Sequence, residues 1–174
     1  MTLEATLEKI PHPIGDSVPR VDAHDKVTGA ATFADDIQFG PGMLYARIVR
    51  SPHPHALIKS INVEQAKKLP GVKAIVTGEE FPGLTGLYLS DRYIFARDRV
   101  RYVGDPVAGV AAISEEIAEK AIDLIEVEYE VLQPVLDPEF GASPEAPLLH
   151  PDLGKYEVPN FIFPQPGTNV SNHF

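Results

Sequence analysis

The stretch VAGVAAISEEIAEKAIDLIEVEYEV, residues 107–131, limits what this chain can fold into more than any other. It begins with a continuous apolar run of the length expected for a buried strand. Ser114 then stands where a hydroxyl can accept the free amides of a helix start, and Glu115 and Glu116 follow where the helix dipole favours negative charge. Ile117, Ala118, Ala121, Ile122 and Ile125 recur at helical spacing and mark one buried face. From Ile125 the period changes to two: Ile125, Val127, Tyr129 and Val131 point inward, and Glu126, Glu128 and Glu130 outward. The segment reads strand, helix, strand.

A second unit of this kind lies upstream. GMLYARIVRS alternates as a strand, with Leu44, Ala46 and Ile48 on one face and Tyr45, Arg47 and Val49 on the other. ALIKSINV follows as another strand, with Leu57, Lys59, Ile61 and Val63 at alternate positions. NVEQAKKLPG reads as a short helix capped by Asn62, with Gln65 completing an approximate capping box; Pro70-Gly71 ends it and VKAIVT returns as a strand. Two strand–helix–strand units place the chain in the α/β or α+β class, with a mixed sheet and helices packed on it. The expected organisation is a flexible arm over 1–18, a core over 19–137 and an extended proline-rich connector over 138–174.

Composition removes whole classes of function. There is no cysteine, which excludes disulfides, a thiol nucleophile and cysteine-ligated zinc or iron–sulfur centres in this chain. The formal charge of −10 argues against nucleic acid, whose binding rests on Lys and Arg neutralising phosphates. No apolar run has the length of a membrane span, and the acidic N-terminus lacks a signal-peptide layout, so a cytoplasmic location is the expectation.

Individual candidates read mostly as structural. Glu126, Glu128 and Glu130 could form an acidic metal-binding face, but like charges on one face of one strand usually mean a solvated surface. Asp35-Asp36 reads as a turn. His53 and His55, two apart, could begin a metal site, yet no third ligand is near and the flanking prolines indicate a stiff bend. Arg92, Arg97, Arg99 and Arg101 cluster with Asp91, Asp98 and Asp105 interleaved, which points to salt bridges. Gly40-Pro41-Gly42 lacks the third glycine of a dinucleotide loop. Asn169-Val170-Ser171 matches a glycosylation sequon, discounted in the absence of a secretion signal.

Three segments carry a more specific message: VDAHDKVTGAATFADDI, LYARIVRSPHPHALIKSINVEQAKKLPGVKAIVTGEE and DRYIFARDRVRYVGDPVAGVAAISEEIAEKAIDLIEVEYEVLQPV. In this order they resemble the N-terminal α/β-hammerhead domain of the large molybdopterin-binding subunit in the xanthine dehydrogenase/aldehyde oxidase family of molybdenum hydroxylases. The hallmarks are the Lys26–Gly29 turn with Asp35-Asp36-Ile37 after it, the link Arg50-Ser51-Pro52 to His55-Ala56, and the break Val103-Gly104-Asp105-Pro106-Val107-Ala108. Many bacterial members carry Gln at the position of Asp105. The resemblance implies a non-catalytic, inactive piece of an oxidoreductase that oxidises aldehydes or N-heterocycles. It would dock on the molybdenum-binding domain of the same subunit and help wall the substrate channel, with Leu87 and Leu89 as the channel residues. No catalytic, cofactor-binding or metal-ligating residue is implied within the chain. Molybdopterin with its molybdenum, 2Fe–2S clusters and FAD would belong to the complete enzyme, in the molybdenum-binding domain and in iron–sulfur and flavin domains or subunits. The alternative is a stand-alone binding or scaffold module of the same fold.

Overall fold

The computed structural model describes residues 15, 19–37 and 39–173. The chain divides into two compact units, Met1–Pro41 and Gly42–Phe174. In the first, α1 (Ala23–Thr28) ends at Gly29, whose φ of 76° is the left-handed conformation that glycine adopts without a Cβ penalty. Asp35-Asp36 is the turn that the sequence indicates. It lies in a 3-10 turn, Ala34–Asp36, closed by the Asp36 carboxylate accepting the Phe33 amide at 2.9 Å. The arm expected over 1–18 falls outside the described residues except for Gly15.

The second unit runs β1 (Tyr45–Arg50), β2 (Ala56–Asn62), α2 (Glu64–Lys68), β3 (Val72–Thr77), β4 (Leu84–Thr85), β5 (Arg92–Tyr93), β6 (Arg99–Val100), β7 (Pro106–Ala112), α3 (Glu115–Asp123), β8 (Glu126–Val131) and α4 (Pro138–Ala142). β1-β7-β3 form one sheet, β6-β2-β8 a second, and β4-β5 a small third. Both strand–helix–strand units are present, but every described ladder is antiparallel rather than mixed. The reason is topological. In each unit the helix carries the chain from one sheet to the other, β2 to β3 and β7 to β8, so the two strands of a unit never pair as parallel neighbours.

Two apolar clusters hold these layers. Ala66, Ala108, Val110, Ala121 and Ile125 form one between the helices and the β1-β7-β3 sheet; Ala56, Ala96, Val100 and Val107 form the other. Ile61 and Val127 pack against both. Small residues dominate because backbones approach closely: a Cβ at Gly109 would stand 2.8 Å from the Phe95 ring. Burying each of Val107 and Val110 contributes about 1.5–3 kcal/mol.

Local chemistry follows the sequence in most places. Ser114 caps α3 by accepting the Ile117 amide at 3.3 Å, and Ala118, Ala121 and Ile125 are buried. Three details differ. α2 begins one residue late, at Glu64 after Val63, and Asn62 at the end of β2 accepts the Glu64 amide at 3.1 Å without a box to Gln65. A register shift between Ile58 and Ser60 breaks the alternation of β2, so Ile58 and Ile61 both reach the core. Val131, expected inward, is 60% exposed at the far end of β8. After α4, capped by Asp137 accepting the Phe140 amide at 2.7 Å, residues 143–173 carry no regular element yet bury Ala146 and Leu153.

Candidate functional site

Two of the sequence hallmarks meet in space. The Ser51 amide donates to the Asp105 carbonyl at 2.9 Å, the Gly104 amide returns to the Ser51 carbonyl at 2.8 Å, and the Arg50 guanidinium donates to the Gly104 carbonyl at 2.9 Å. The Arg-Ser-Pro link and the Gly-Asp-Pro break are thus one joint, which ends β1 and starts β7. His55 is 1% exposed beside it. Its Nδ1 lies 2.7 Å from the Gln133 carbonyl and its Nε2 3.2 Å from Arg99 Nη1. A carbonyl only accepts and a guanidinium only donates, so the ring is held as the Nδ1–H tautomer. His53 instead sets its ring edge-on to Tyr129 at 5.1 Å. The two histidines serve different contacts and do not converge as ligands.

From this joint the chain builds a polar face between the β4–β5 hairpin and the tail. Arg99 Nη1 donates to the Leu148 carbonyl at 3.0 Å, and Arg101 Nε to the Leu149 carbonyl at 2.9 Å. Arg99 in β6 and Arg101 just past its end reach the same side, and the Arg-x-Arg pair grips consecutive carbonyls. The salt bridges expected for the arginine cluster are therefore replaced: among the described residues none of Arg92, Arg97, Arg99 and Arg101 forms an ion pair with the interleaved aspartates. The tail's bare carbonyls, left by its prolines and lack of regular structure, take the donors instead. Asn169 completes the arrangement. Its Oδ1 accepts the Leu149 amide at 2.9 Å, and its Nδ2 donates to the carbonyls of Gly141 at 3.1 Å and Pro147 at 3.0 Å. The amide is fully used in structure.

Between hairpin and tail opens a cleft of about 260 Å³, lined in part by Tyr93, Arg101, Tyr102, Asp105 and His150. Asp105 is 8% exposed, with Oδ2 accepting the Arg101 amide at 3.0 Å. Burial pushes its carboxyl above the ordinary range, against the pull of that amide and of the Arg101 and Arg92 charges. Burial holds His150 below the ordinary imidazole value, helped by Arg101 and opposed by Asp91, whose carboxylate stands 3.7 Å from Nε2. Burial also raises the Tyr102 and Tyr156 phenols. Sequence reading treated Asp105 as part of a strand break and as one of the aspartates beside the arginines, and passed over His150; the tail folding back brings His150 to the cleft, which no local pattern encodes.

The loop 86–91 carries the two leucines singled out for the channel, and it separates them. Leu87 is 82% exposed; Leu89 is half-buried and lines a small cavity under the tail with Leu149, Leu153 and Asn169. The loop is tight, because a Cβ at Gly86 would collide with the Leu89 carbonyl oxygen. It is pinned to the tail by the Ser90 amide donating to the Glu157 carbonyl at 3.3 Å and by Tyr88 edge-on to Phe161 at 6.2 Å.

The remaining candidates resolve as surface. Glu126 accepts from Asn62 Nδ2 at 3.3 Å, Glu128 from the Ser60 hydroxyl at 3.2 Å, and Glu130 pairs with Lys59, each across the ladder to β2. Among the described residues no group of three or more His, Asp or Glu side chains gathers to hold a metal. No helix among them is long and apolar enough to cross a membrane.

Comparison with known proteins is specific. Residues 28–133 match the family model described as "Aldehyde oxidase and xanthine dehydrogenase, a/b hammerhead domain". A probable xanthine dehydrogenase subunit of Bacillus subtilis is 47% identical over 135 residues, covering 76% of this chain and 18% of that protein. The nicotinate dehydrogenase large molybdopterin subunit of Eubacterium barkeri is 35% identical over 83% of this chain and 34% of its own length. Among solved structures, the aldehyde oxidoreductase of Desulfovibrio gigas aligns at a TM-score of 0.69 with 29% identity, over 78% of this chain and 16% of that one. The reconstituted CO dehydrogenase of Oligotropha carboxidovorans aligns at 0.69 with 37% identity, over 77% and 17%. The chain spans about a fifth to a third of the length of these curated relatives.

Proposed function

Because this chain belongs to the aldehyde oxidase and xanthine dehydrogenase family, in its a/b hammerhead domain, we propose that it is a supporting module of a molybdenum-dependent hydroxylase or dehydrogenase. In that reading it docks on the molybdopterin-binding region of the same subunit and helps wall the channel through which an aldehyde or N-heterocycle reaches the cofactor. Molybdopterin would be held by that region, and 2Fe–2S and FAD by further domains or subunits. The module's own task is to position and to exclude water; it carries no turnover alone. The observation that supports this most is the coverage: the relatives are several times longer, and their match to this chain is confined to one small part of them.

For the channel, the exposures of the two leucines favour Leu87. It stands free on a tight loop, whereas Leu89 packs beneath the tail and serves this unit's own cohesion. The test exchanges this sequence for the matching stretch of the Bacillus subtilis relative. The exchanged subunit should retain molybdenum and substrate-dependent dye reduction. Leu87→Ala in it should change KM for bulky substrates several-fold with little change in kcat, and Leu89→Ala should lower the thermal midpoint of the chain itself. An exchanged subunit that folds but neither retains molybdenum nor turns over would contradict the reading.

A further inference from the structure

Large apolar side chains are left open where the hairpin loop meets the tail. Leu87 is 82%, Tyr88 55%, Phe161 57% and Phe163 56% exposed, and the Tyr88–Phe161 ring contact joins the hairpin loop to the tail. These are not loose ends. Gly86 permits the close turn onto Leu89, Ser90 is bonded to Glu157, and the Phe163 amide donates to Asn172 Oδ1 at 2.7 Å while its carbonyl accepts the His173 amide at 3.2 Å. The scaffold beneath is fixed by the Arg99 and Arg101 grips on Leu148 and Leu149. Apolar groups held rigidly in water are the mark of a surface shaped for a partner, since mobile ones would fold inward or scatter.

The geometry points to this hairpin–tail patch, Leu87, Tyr88, Phe161 and Phe163, as the surface on which the molybdopterin-binding remainder of the subunit seats. The inference rests on the reading above and adds to it the tail. The tail is part of the docking face itself, so the hairpin loop in the interior of the unit's sequence and its C-terminal tail must be covered together. The occupant follows from length: relatives that match over this stretch carry about four-fifths of their chain outside it, as in the Bacillus subtilis and Desulfovibrio gigas proteins, where 18% and 16% are covered. A surface offering two phenylalanines, a tyrosine and a leucine has the aromatic composition of a buried interface core.

Hydroxyl-radical footprinting read by mass spectrometry tests it, comparing this chain alone with the exchanged full-length subunit. Oxidation of Tyr88, Phe161 and Phe163 should fall at least about five-fold in the full subunit, as expected when water is excluded from an interface core, and that of Leu87, at the rim beside the channel, should fall less. The exposed Ile113, at the far end of β7, supplies the internal reference. As a second arm, Leu87→Ser with Phe163→Ser should leave the thermal midpoint of the isolated chain within about 2 °C, as for surface positions, while lowering that of the full subunit. A subunit that retains molybdenum and turns over while all four residues stay as reactive as in the isolated chain overturns the inference and leaves the functional reading standing. A subunit that folds without molybdenum or turnover counts against that reading first.

Discussion

The sheet core and the hairpin–tail face are held by different forces, and the contrast explains how one small unit can be cohesive while it leaves large apolar side chains exposed. The core is apolar and built largely of alanine, valine and glycine, with Val107, Val110 and Ala108 of β7 sealed between neighbouring strands and helices. Its cohesion is apolar burial, spread over many contacts and hard to localise. The hairpin–tail face has few buried apolar groups, chiefly Ala146 and Leu153, and is held by single polar contacts: two arginines, one asparagine and a half-buried histidine. Such contacts are directional and fix geometry, leaving the apolar side chains free to face outward.

The largest expected effect lies in the core. Val110→Asp places an unpaired carboxylate among Ala66, Ala108, Ala121 and Ile125 and should cost more than about 4 kcal/mol, leaving no folded protein at ordinary temperature. Circular dichroism decides it; a cooperative transition near that of the parent would break the distinction between the regions. Next, Arg99→Met should cost about 2–3 kcal/mol, because His55 Nε2 and the Leu148 carbonyl lose their donor together. Limited proteolysis should then cut within 143–173 well before the sheets. Asn169→Ala removes three hydrogen bonds between neutral groups, weaker than those made by the Arg99 charge, and should cost about 1–2 kcal/mol, read as a lower denaturant midpoint with unchanged slope.

The smallest effects are pH-dependent and confined to the cleft. Burial raises the Asp105 carboxyl above its ordinary 3.8, so between 3.8 and the raised value the folded chain holds more protons than the unfolded one. Stability therefore falls as pH rises through that window. Asp105→Asn keeps an oxygen for the Arg101 amide and removes the titration. It should be more stable than the parent at pH 7, with the advantage gone below 3.8. His150 has the opposite sign. Its folded value lies below 6.5, so the unfolded chain takes the extra proton first and stability is lost as pH falls below 6.5. His150→Gln should flatten that slope in thermal melts run across the range.

The same contrast decides what could be read from the residues. The core announced itself through local periodicity: Ser114 before an apolar helical stripe, the continuous run of β7, the alternation of β8. The ladder geometry did not follow, since a strand–helix–strand unit that changes sheets has the same local pattern as one that stays within a sheet. The hallmarks around Arg50–Ala56 and Val103–Ala108 identified the family without revealing that they touch. The arginine cluster was visible, but its partners lie some 48 residues away in sequence, and charge alternation suggested the wrong ones. His150 was hidden for the same reason, since Asp91 stands far from it in sequence. Of the two leucines that the resemblance singled out, only the fold separates the exposed Leu87 from the half-buried Leu89.

Hydrogen exchange on the isolated chain, wild type against Arg99→Met combined with Arg101→Met, tests most directly whether the two regions are separately held. The account expects the amides of Leu149, Leu153 and Gln165 to lose most of their protection while those of Ala108 and Val110 in β7 keep theirs. Loss of protection in β7 and the tail to the same extent would contradict it.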